Sequence, residues 1–506
     1  MEYDLIVIGC GISGLYTTYC LEKSNQKNLK ILLLETKSYL GGRLKTKTRN
    51  NKSFDVGGVR IHKTRHKRVM NLINELNLDK ELVKLPPVSY VINNEDYSSS
   101  KAKKFLKNTF DIISRKYSHL LPFNTFGFFL RKLNLYEKFI SLWGYRGNVE
   151  ISQAKSFLKN IQSYQENDSD NSDDSFYFMK NGFSVLIQKL SERINASIHQ
   201  KESVKQIQKT SDNKFIIHTH KTKYKTKQVI CAIPPHQLKK MEYFKKYLDL
   251  LNCVESNNYI RIFGEFNNFS KKSADSFHIH NDTVIPQIIS RGDGIVQMAY
   301  ADSILAENLR DIVVIGKFKK LWNIIQSQLR LRLSSENLKW VDYFYWKRGT
   351  HFWKPHVNVS EFYKTILQPD PELNLFIIGE AFSHHQAWIE GSLETSQDVI
   401  QKITNQNLKS NYSKNRNLRI PKTIPPKTKK LNKTKKQNKT KTKWIEYEGV
   451  RYDISKFMNN HPGGLDAISS GLGKDITEIF KSVGHSSYAL RILKNLPIIK
   501  RDEYHD

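Results

Sequence analysis

The sequence predicts an α/β chain in which a Rossmann-type dinucleotide-binding domain is interleaved with an α+β domain, and a small separate module follows. Three observations predict it. DLIVIG, residues 4–9, is a continuous apolar run of strand length that ends in the glycine-spaced turn GCGISG. LKILLLE, residues 29–35, is a second such run and closes on an acid. Residues 405–443 hold 14 Lys or Arg and no Asp or Glu, which divides the body from a short segment that starts at Trp444.

Between these landmarks the elements follow in order. SGLYTTYCLEK reads as the helix after the turn, and residues 100–165 alternate basic and apolar groups at helical spacing. ENDSDNSDDS, residues 166–175, reads as a mobile acidic loop. KNGFSVLIQKLSERI reads as a helix, and strands are expected at Val204–Ile207, Lys214–His220 and Gln228–Ala232, the last stopped by Pro234 and Pro235. Residues 236–370 mix strands and helices. NLFIIGEAFS, residues 374–383, reads as another buried strand, and a helix is expected from Glu390 to about Lys402. The stretch 405–443 has too few apolar side chains to offset the entropy of ordering and is expected to be a disordered linker.

Of the 506 residues, 39% are hydrophobic and 26% charged, as in an ordinary globular protein, but the net charge is +32. The basic excess permits non-specific contact of the linker with a polyanion; the tract lacks the interleaved aromatics and base-reading motifs of a sequence-specific nucleic-acid binder. Cys10, Cys20, Cys231 and Cys253 form no C-x-x-C pair, which fits a reducing compartment such as the cytoplasm. The start does not read as a signal peptide, and no apolar run is long enough for a transmembrane segment.

The turn carries specific physics. Gly9 permits a tight bend, Gly11 lets the backbone approach a pyrophosphate, and Gly14 allows close helix–strand packing. The start of the helix at Ile12 and Ser13 offers unpaired N–H groups to the phosphates, and Glu35 is placed to accept from ribose hydroxyls. These features alone do not choose between NAD and FAD.

Further motifs do. GGR at 41–43, FDVGGVRIH at 54–62, VKQIQ at 204–208, VICAIPP at 229–235 and NLFIIGEAFSHHQAWIEGSLETS at 374–396 occur in the order seen in the flavin-containing amine oxidases, and residues 1–404 resemble that family. The resemblance implies FAD, with an FAD part at about 1–65, 180–236 and 370–404 and a substrate part at about 66–179 and 237–369. It implies that Gly42, Arg43, Gly57, Gly58, Val59 and Arg60 approach the flavin diphosphate region and that the backbone at Val204 faces the adenine. It also implies that Gly379 and Glu380 lie along the ribityl–pyrophosphate region and that Trp388 and Ile389 line the isoalloxazine. Thr350 stands near where covalent members carry a cysteine, so FAD is expected to be non-covalent.

Within the family, Arg60 stands where L-amino-acid oxidases carry an arginine for the substrate carboxylate; a guanidinium binds a carboxylate through two parallel hydrogen bonds. An aromatic wall from Trp346, Trp353 and Trp388 is expected. Arg261 aligns with a lysine that holds a water beside flavin N5 in many members. The implied reaction is oxidation of an L-amino acid to an imine, then a 2-oxo acid and ammonia, with oxygen or a redox protein as acceptor. Oxidation of a polyamine or monoamine is the alternative enzymatic reading, and a basic binding protein with a vestigial flavin fold the non-enzymatic one.

The C-terminal segment 444–501 holds HPGG and GHSS, with His461 and His485 framing GKDITEIF. It resembles the cytochrome b5 domain, a small α+β fold in which two such histidines are axial ligands of haem b. Two imidazoles close the iron to other ligands and suit electron transfer. The linker runs straight into WIEYEGV where a full domain has an earlier strand and helix.

Overall fold

The computed structural model describes residues 2–24, 29–162, 175–267, 276–291, 294–331, 333–414, 443–455, 457–458, 468–469, 471–482, 490, 493 and 496–499. The chain divides into two units, Met1–Gln406 and Asn407–Asp506.

The first apolar run forms the strand Glu2–Ile8 at the centre of a seven-stranded sheet. It pairs in parallel with Ile31–Leu34 on one side and with Lys223–Cys231 on the other, and Ser197–His199 extends the sheet beyond Ile31–Leu34. Lys223–Cys231 is longer than its apolar part: Val229, Ile230 and Cys231 pair in parallel with Leu375–Ile377, while its polar first half pairs antiparallel with Phe215–Thr219. Leu5, Ile6 and Val7 are fully buried because both faces are covered. Leu5 and Val7 pack with the helices Ile12–Lys23, Ser184–Ser191 and Ile389–Lys414; Ile6 and Ile8 pack with Phe244, Leu251 and Phe382. The register sets Ile8 beside Leu34 and Cys231, and Cys231 beside Ile377. The turns carrying Gly9, Glu35, Ala232 and Gly379 therefore emerge along one edge, where ligands bind in open parallel sheets.

A second seven-stranded sheet runs in the order Leu338–Trp353, Val254–Phe266, Ile295–Asp302, Gln287–Arg291, Ser276–Asn281, Val88–Ile92, Glu95–Tyr97. Alternation gives it two unlike faces. Ile260, Ile262 and Met298 sit in an apolar layer with Leu309 and Trp322 of the helices Ser303–Val314 and Phe318–Gln328. The opposite face carries Tyr259 beside Trp346, and Arg261 between Phe344 and Tyr300. A bulge at Ile262/Phe263 brings Gln297 into register with Phe263, which turns its side chain onto the Arg261 face.

The helical stretch expected at 100–165 contains the helices Ser99–Lys116, Phe126–Lys132, Tyr136–Trp143, Gly147–Ile151 and Ala154–Gln162, centred on Phe110, Phe126, Phe139 and Phe157. Gly144 ends one of them at φ +78°, and a Cβ there would lie 2.8 Å from Gln287 Nε2. Only glycine passes this point without strain, and the passage sets Tyr145 beside Gln287.

Two expectations shift. The run 374–383 is a strand only at Leu375–Ile377; Gly379 at φ +132° breaks it and Glu380–Phe382 turns as 3₁₀ helix. The helix expected to stop near Lys402 continues to Lys414, ten residues into the supposed linker. NQNLKSNYSK holds no glycine or proline, and the first proline comes at Pro421. The acidic loop, apart from Ser175, and residues 415–442 of the linker lie outside the described residues.

The C-terminal unit contains a hairpin, Trp444–Tyr447 with Val450–Asp453, turned through Glu448 and Gly449 at φ +51° and +77°. Ile445, Tyr447, Tyr452, Ile454, Met458 and Ile468 form its core. No helix among the described residues is long and apolar enough to cross a membrane.

The tight packing of the first turn yields a prediction. A Cβ on Gly14 would lie 2.1 Å from the Gly9 carbonyl oxygen. Gly14→Ala is expected to destabilise the N-terminal unit by about 3 kcal/mol through overpacking, read as a lower urea midpoint; an unchanged midpoint contradicts this packing.

Candidate active site

The helix Ile12–Lys23 starts at Gly11 with no side-chain cap and no acid in its first turn, and Ile12 and Ser13 are buried there. Its first N–H groups therefore lack a side-chain acceptor and favour an anion. The space beside them is open: a Cβ on Gly11 would come no nearer than 4.0 Å to the Gly41 oxygen, one on Gly42 would lie 3.5 Å from Gly11 Cα, and one on Gly379 would meet nothing within 4 Å. Gly9, by contrast, packs on Ala232, where a Cβ would lie 2.7 Å from the carbonyl oxygen. Glu35 stitches the turn itself, accepting from Cys10 N–H and Lys37 N–H at 2.9 Å each. Its backbone carbonyl accepts from Glu202 N–H, which brings Val204 to the same edge. The cradle of bare glycine backbone at an uncapped helix start fits a dinucleotide diphosphate.

The GGR arginine does other work. Arg43 Nη1 donates to Glu380 Oε2 and to the Gly349 carbonyl, both at 2.7 Å. Glu380 also accepts from the backbone N–H groups of His351 and Ala387 at 2.9 Å. Burial alone would raise the Glu380 pKa, but the Arg43 charge and the bonds from His351 and Ala387 outweigh it and hold the carboxyl well below the usual range. Gly57 packs so closely on Arg43 that a Cβ would lie 1.8 Å from its carbonyl oxygen, and Gly58 N–H donates to that oxygen at 3.0 Å. A Cβ on Gly58 would lie 2.7 Å from Leu44 Cδ2, and Val59 is buried beside it.

Ala387 stands at φ +69°, a left-handed conformation that costs a non-glycine residue roughly 1–2 kcal/mol. The Glu380 bond holds it there, and Trp388 and the buried Ile389 follow directly. Trp388 stacks on Phe176 at 5.6 Å and 11°. Arg60 lies among them, its Cζ 5.1 Å from the Phe176 ring, 5.5 Å from Tyr145 and 5.9 Å from Trp388. Its Nη2 donates to the Tyr145 hydroxyl. Among the described residues Arg60 has no ion pair.

The second sheet closes this box. Tyr145 packs on Tyr300 at 5.4 Å, Tyr300 on Tyr259 at 5.9 Å, and Tyr259 on Trp346 at 6.4 Å. Trp346 Nε1 donates to the Val56 carbonyl at 2.7 Å, which fixes the wall to the Gly57 turn. Arg261 is buried on the same face, 4.3 Å from the Tyr300 ring. Burial pushes the Tyr145 phenol up to about 12 and His280 down to about 4, and holds His66 and His278 well below the usual histidine range.

Arg60, Arg261, Trp346 and Trp388 thus share one aromatic enclosure. Trp353 does not: it is 1% exposed, its Nε1 donates to the Ser383 carbonyl at 2.9 Å, and it packs in the core with Phe382. It supports the loop rather than lining the box, because Trp346 and Trp353 differ by an odd number of residues on one strand. The sequence reading missed Tyr145, Phe176, Tyr259, Tyr300 and Gln297. Tyr259 alone was within reach, standing two residues before Arg261 on a strand. His461 and His485 lie outside the described residues.

Comparison with known proteins agrees with this geometry. Residues 12–266, half of the chain, match the flavin containing amine oxidoreductases. Residues 430–501 match the cytochrome b5-like heme/steroid binding domain, a match that begins fourteen residues before Trp444. A putative protoporphyrinogen oxidase from Exiguobacterium sp. superposes with a TM-score of 0.61 at 15% identity, covering 80% of this chain and 99% of its own. A redesigned putrescine oxidase superposes with a TM-score of 0.65 at 14% identity and the same coverage. At such identities these likenesses show the fold alone. Cytochrome b5 isoform D of Arabidopsis thaliana is 48% identical over 50 residues, 10% of this chain and 36% of that protein. Cytochrome b5 of Saccharomyces cerevisiae is 47% identical over 55 residues, 11% of this chain and 46% of its own length. The chain therefore spans less than half of these relatives.

Fold and glycine cradle define a dinucleotide-binding protein. The chain belongs to the flavin-containing amine oxidoreductase family and carries a cytochrome b5-like domain toward its C-terminus. This membership implies FAD in the N-terminal unit and haem in the C-terminal one.

The buried network predicts acid sensitivity. The neutral His66, His278 and His280 take up protons only on unfolding, so stability falls as pH drops from about 6.5, continuing to about 4 for His280. Below about 4.5 the depressed Glu380 adds a further loss as its carboxyl protonates on unfolding. The melting temperature is expected to fall steadily between pH 7 and pH 4. Glu380→Gln leaves Arg43 without its counter-charge and is expected to cost about 3 kcal/mol at pH 7, read by urea denaturation.

Proposed function

We propose that the N-terminal unit oxidises the amine of an L-amino acid. The observation that carries this reading is Arg60, a guanidinium in an aromatic box with no ion pair among the described residues. A half-buried cation ringed by aromatic faces favours an anion, and a carboxylate matches its two-pronged donor geometry. Arg60 binds the α-carboxylate, and Tyr145 fixes the guanidinium through its hydroxyl. The Phe176–Trp388 stack and Trp346 exclude water and confine the Cα. Bound FAD supplies the acceptor for the hydride that leaves the Cα. The substrate amine enters this step neutral, and the resulting imine hydrolyses to a 2-oxo acid and ammonia. The electrons go on to oxygen, giving hydrogen peroxide, or to a redox protein, with the haem domain of the same chain as a candidate.

FAD is held non-covalently, since Leu338–Trp353 carries no cysteine and Thr350 stands at the position in question. His461 and His485 would hold haem b, which would supply a one-electron carrier in the C-terminal unit.

Arg60→Met is expected to lower kcat/KM for the preferred amino acid by about a hundredfold or more, with Arg60→Lys recovering part of it; unchanged kcat/KM contradicts the carboxylate role. His461→Ala or His485→Ala is expected to abolish the haem Soret band while the flavin bands keep their intensity. A Soret band that survives both changes contradicts the ligand assignment.

A further inference from the structure

Arg261 is a second cation without a counter-charge. It is 2% exposed and has no ion pair among the described residues. Its Nη1 donates to Gln297 Oε1 at 3.1 Å, but its Nε has no hydrogen-bond partner. Gln297 Nε2, on the same buried side chain, has none either. Two buried donors on hydrogen-bonded side chains thus lack an acceptor, an arrangement that is destabilising until something accepts from them. The Tyr300 ring, 4.3 Å from the guanidinium, attracts its charge but offers Nε–H no acceptor in hydrogen-bond geometry.

The place of this pair decides what the acceptor is. Arg261, Tyr300 and Tyr259 lie on one face of the second sheet, and Tyr300 packs on Tyr145, which holds Arg60. Arg60 stands against Tyr145 and Arg261 against Tyr300, so the two guanidiniums flank one connected pair of rings. An amino acid with a neutral side chain satisfies Arg60 alone and leaves Arg261 desolvated and uncompensated. A second carboxylate on the same molecule accepts from Arg261 Nε–H and Gln297 Nε2–H together.

We propose that the substrate is a 2-amino dicarboxylic acid, L-aspartate or L-glutamate, with Arg60 on the α-carboxylate and Arg261 with Gln297 on the side-chain carboxylate. The proposal rests on the amino-acid reading above. It makes Arg261 a specificity residue, in place of a group that serves the flavin alone.

The test uses the FAD-loaded full chain. Inert succinate and glutarate are titrated against butyrate while flavin absorbance is followed, and kcat/KM is measured for each acid and its amide, glutamate with glutamine and aspartate with asparagine. The expected result is that at least one dicarboxylate binds about tenfold or more tighter than butyrate, and that one acid exceeds its amide by about a hundredfold or more in kcat/KM. In Arg261→Met the acid-to-amide ratio collapses toward one, and Arg261→Lys restores part of it; FAD content confirms that both variants fold. Amides that match their acids, or a ratio unmoved by Arg261→Met, overturn the proposal. Turnover confined to neutral amino acids overturns it while leaving the amino-acid reading intact, whereas turnover confined to amines without a carboxylate overturns both.

Discussion

The ion pair between the half-buried Arg43 and the buried Glu380 is the interaction on which the site depends. One carboxylate gathers three separate parts of the chain: the turn after Glu35, the end of the long strand Leu338–Trp353 through His351, and the loop at Ala387. Removing Arg43 costs more than forming the pair gains, because the charge left on the buried Glu380 has no water. The pair therefore acts as a constraint on geometry. It holds Ala387 in a conformation that alanine rarely adopts, and that conformation sets Trp388 over Arg60.

The contrast with the other two arginines gives the enclosure its meaning. Arg43 has its counter-charge within the protein, in Glu380. Arg60 and Arg261 are surrounded by aromatic rings, whose faces attract a cation only weakly compared with a carboxylate. A fold that supplies one arginine with a buried glutamate, and leaves two others among aromatic rings, has placed positive potential on the aromatic face. The glycine cradle is built differently: bare glycine backbone and an uncapped helix start suit a phosphate without any side-chain charge in the helix's first turn.

Sequence exposes the parts of this design that rest on local pattern. The strands Glu2–Ile8 and Ile31–Leu34 are continuous apolar runs because both sheet faces are buried, and the glycines at 9, 11 and 14 each have a steric reason that spacing alone reveals. Alternation along Leu338–Trp353 also held the information that Trp346 and Trp353 face opposite ways, although an aromatic run read as a whole hides it. What could not be read was long-range placement. Tyr145 reaches Arg60 only because Gly144 lets the chain pass Gln287, and Gln297 meets Arg261 only because of a bulge two strand positions away. Neither has a motif. The helix ending at Lys414 went past its expected stop for a simpler reason: polar composition suggested a linker, but nothing in those residues terminates a helix.

The central claim is that Arg60 meets a carboxylate on the molecule being oxidised. It is tested most directly by anaerobic mixing of the FAD-loaded chain with matched pairs that differ only in that group, such as glutamate with 4-aminobutyrate and leucine with isopentylamine. The account predicts that the flavin bands bleach with at least one amino acid and with none of the decarboxylated partners. Bleaching by an amine at the rate of its parent amino acid would contradict it.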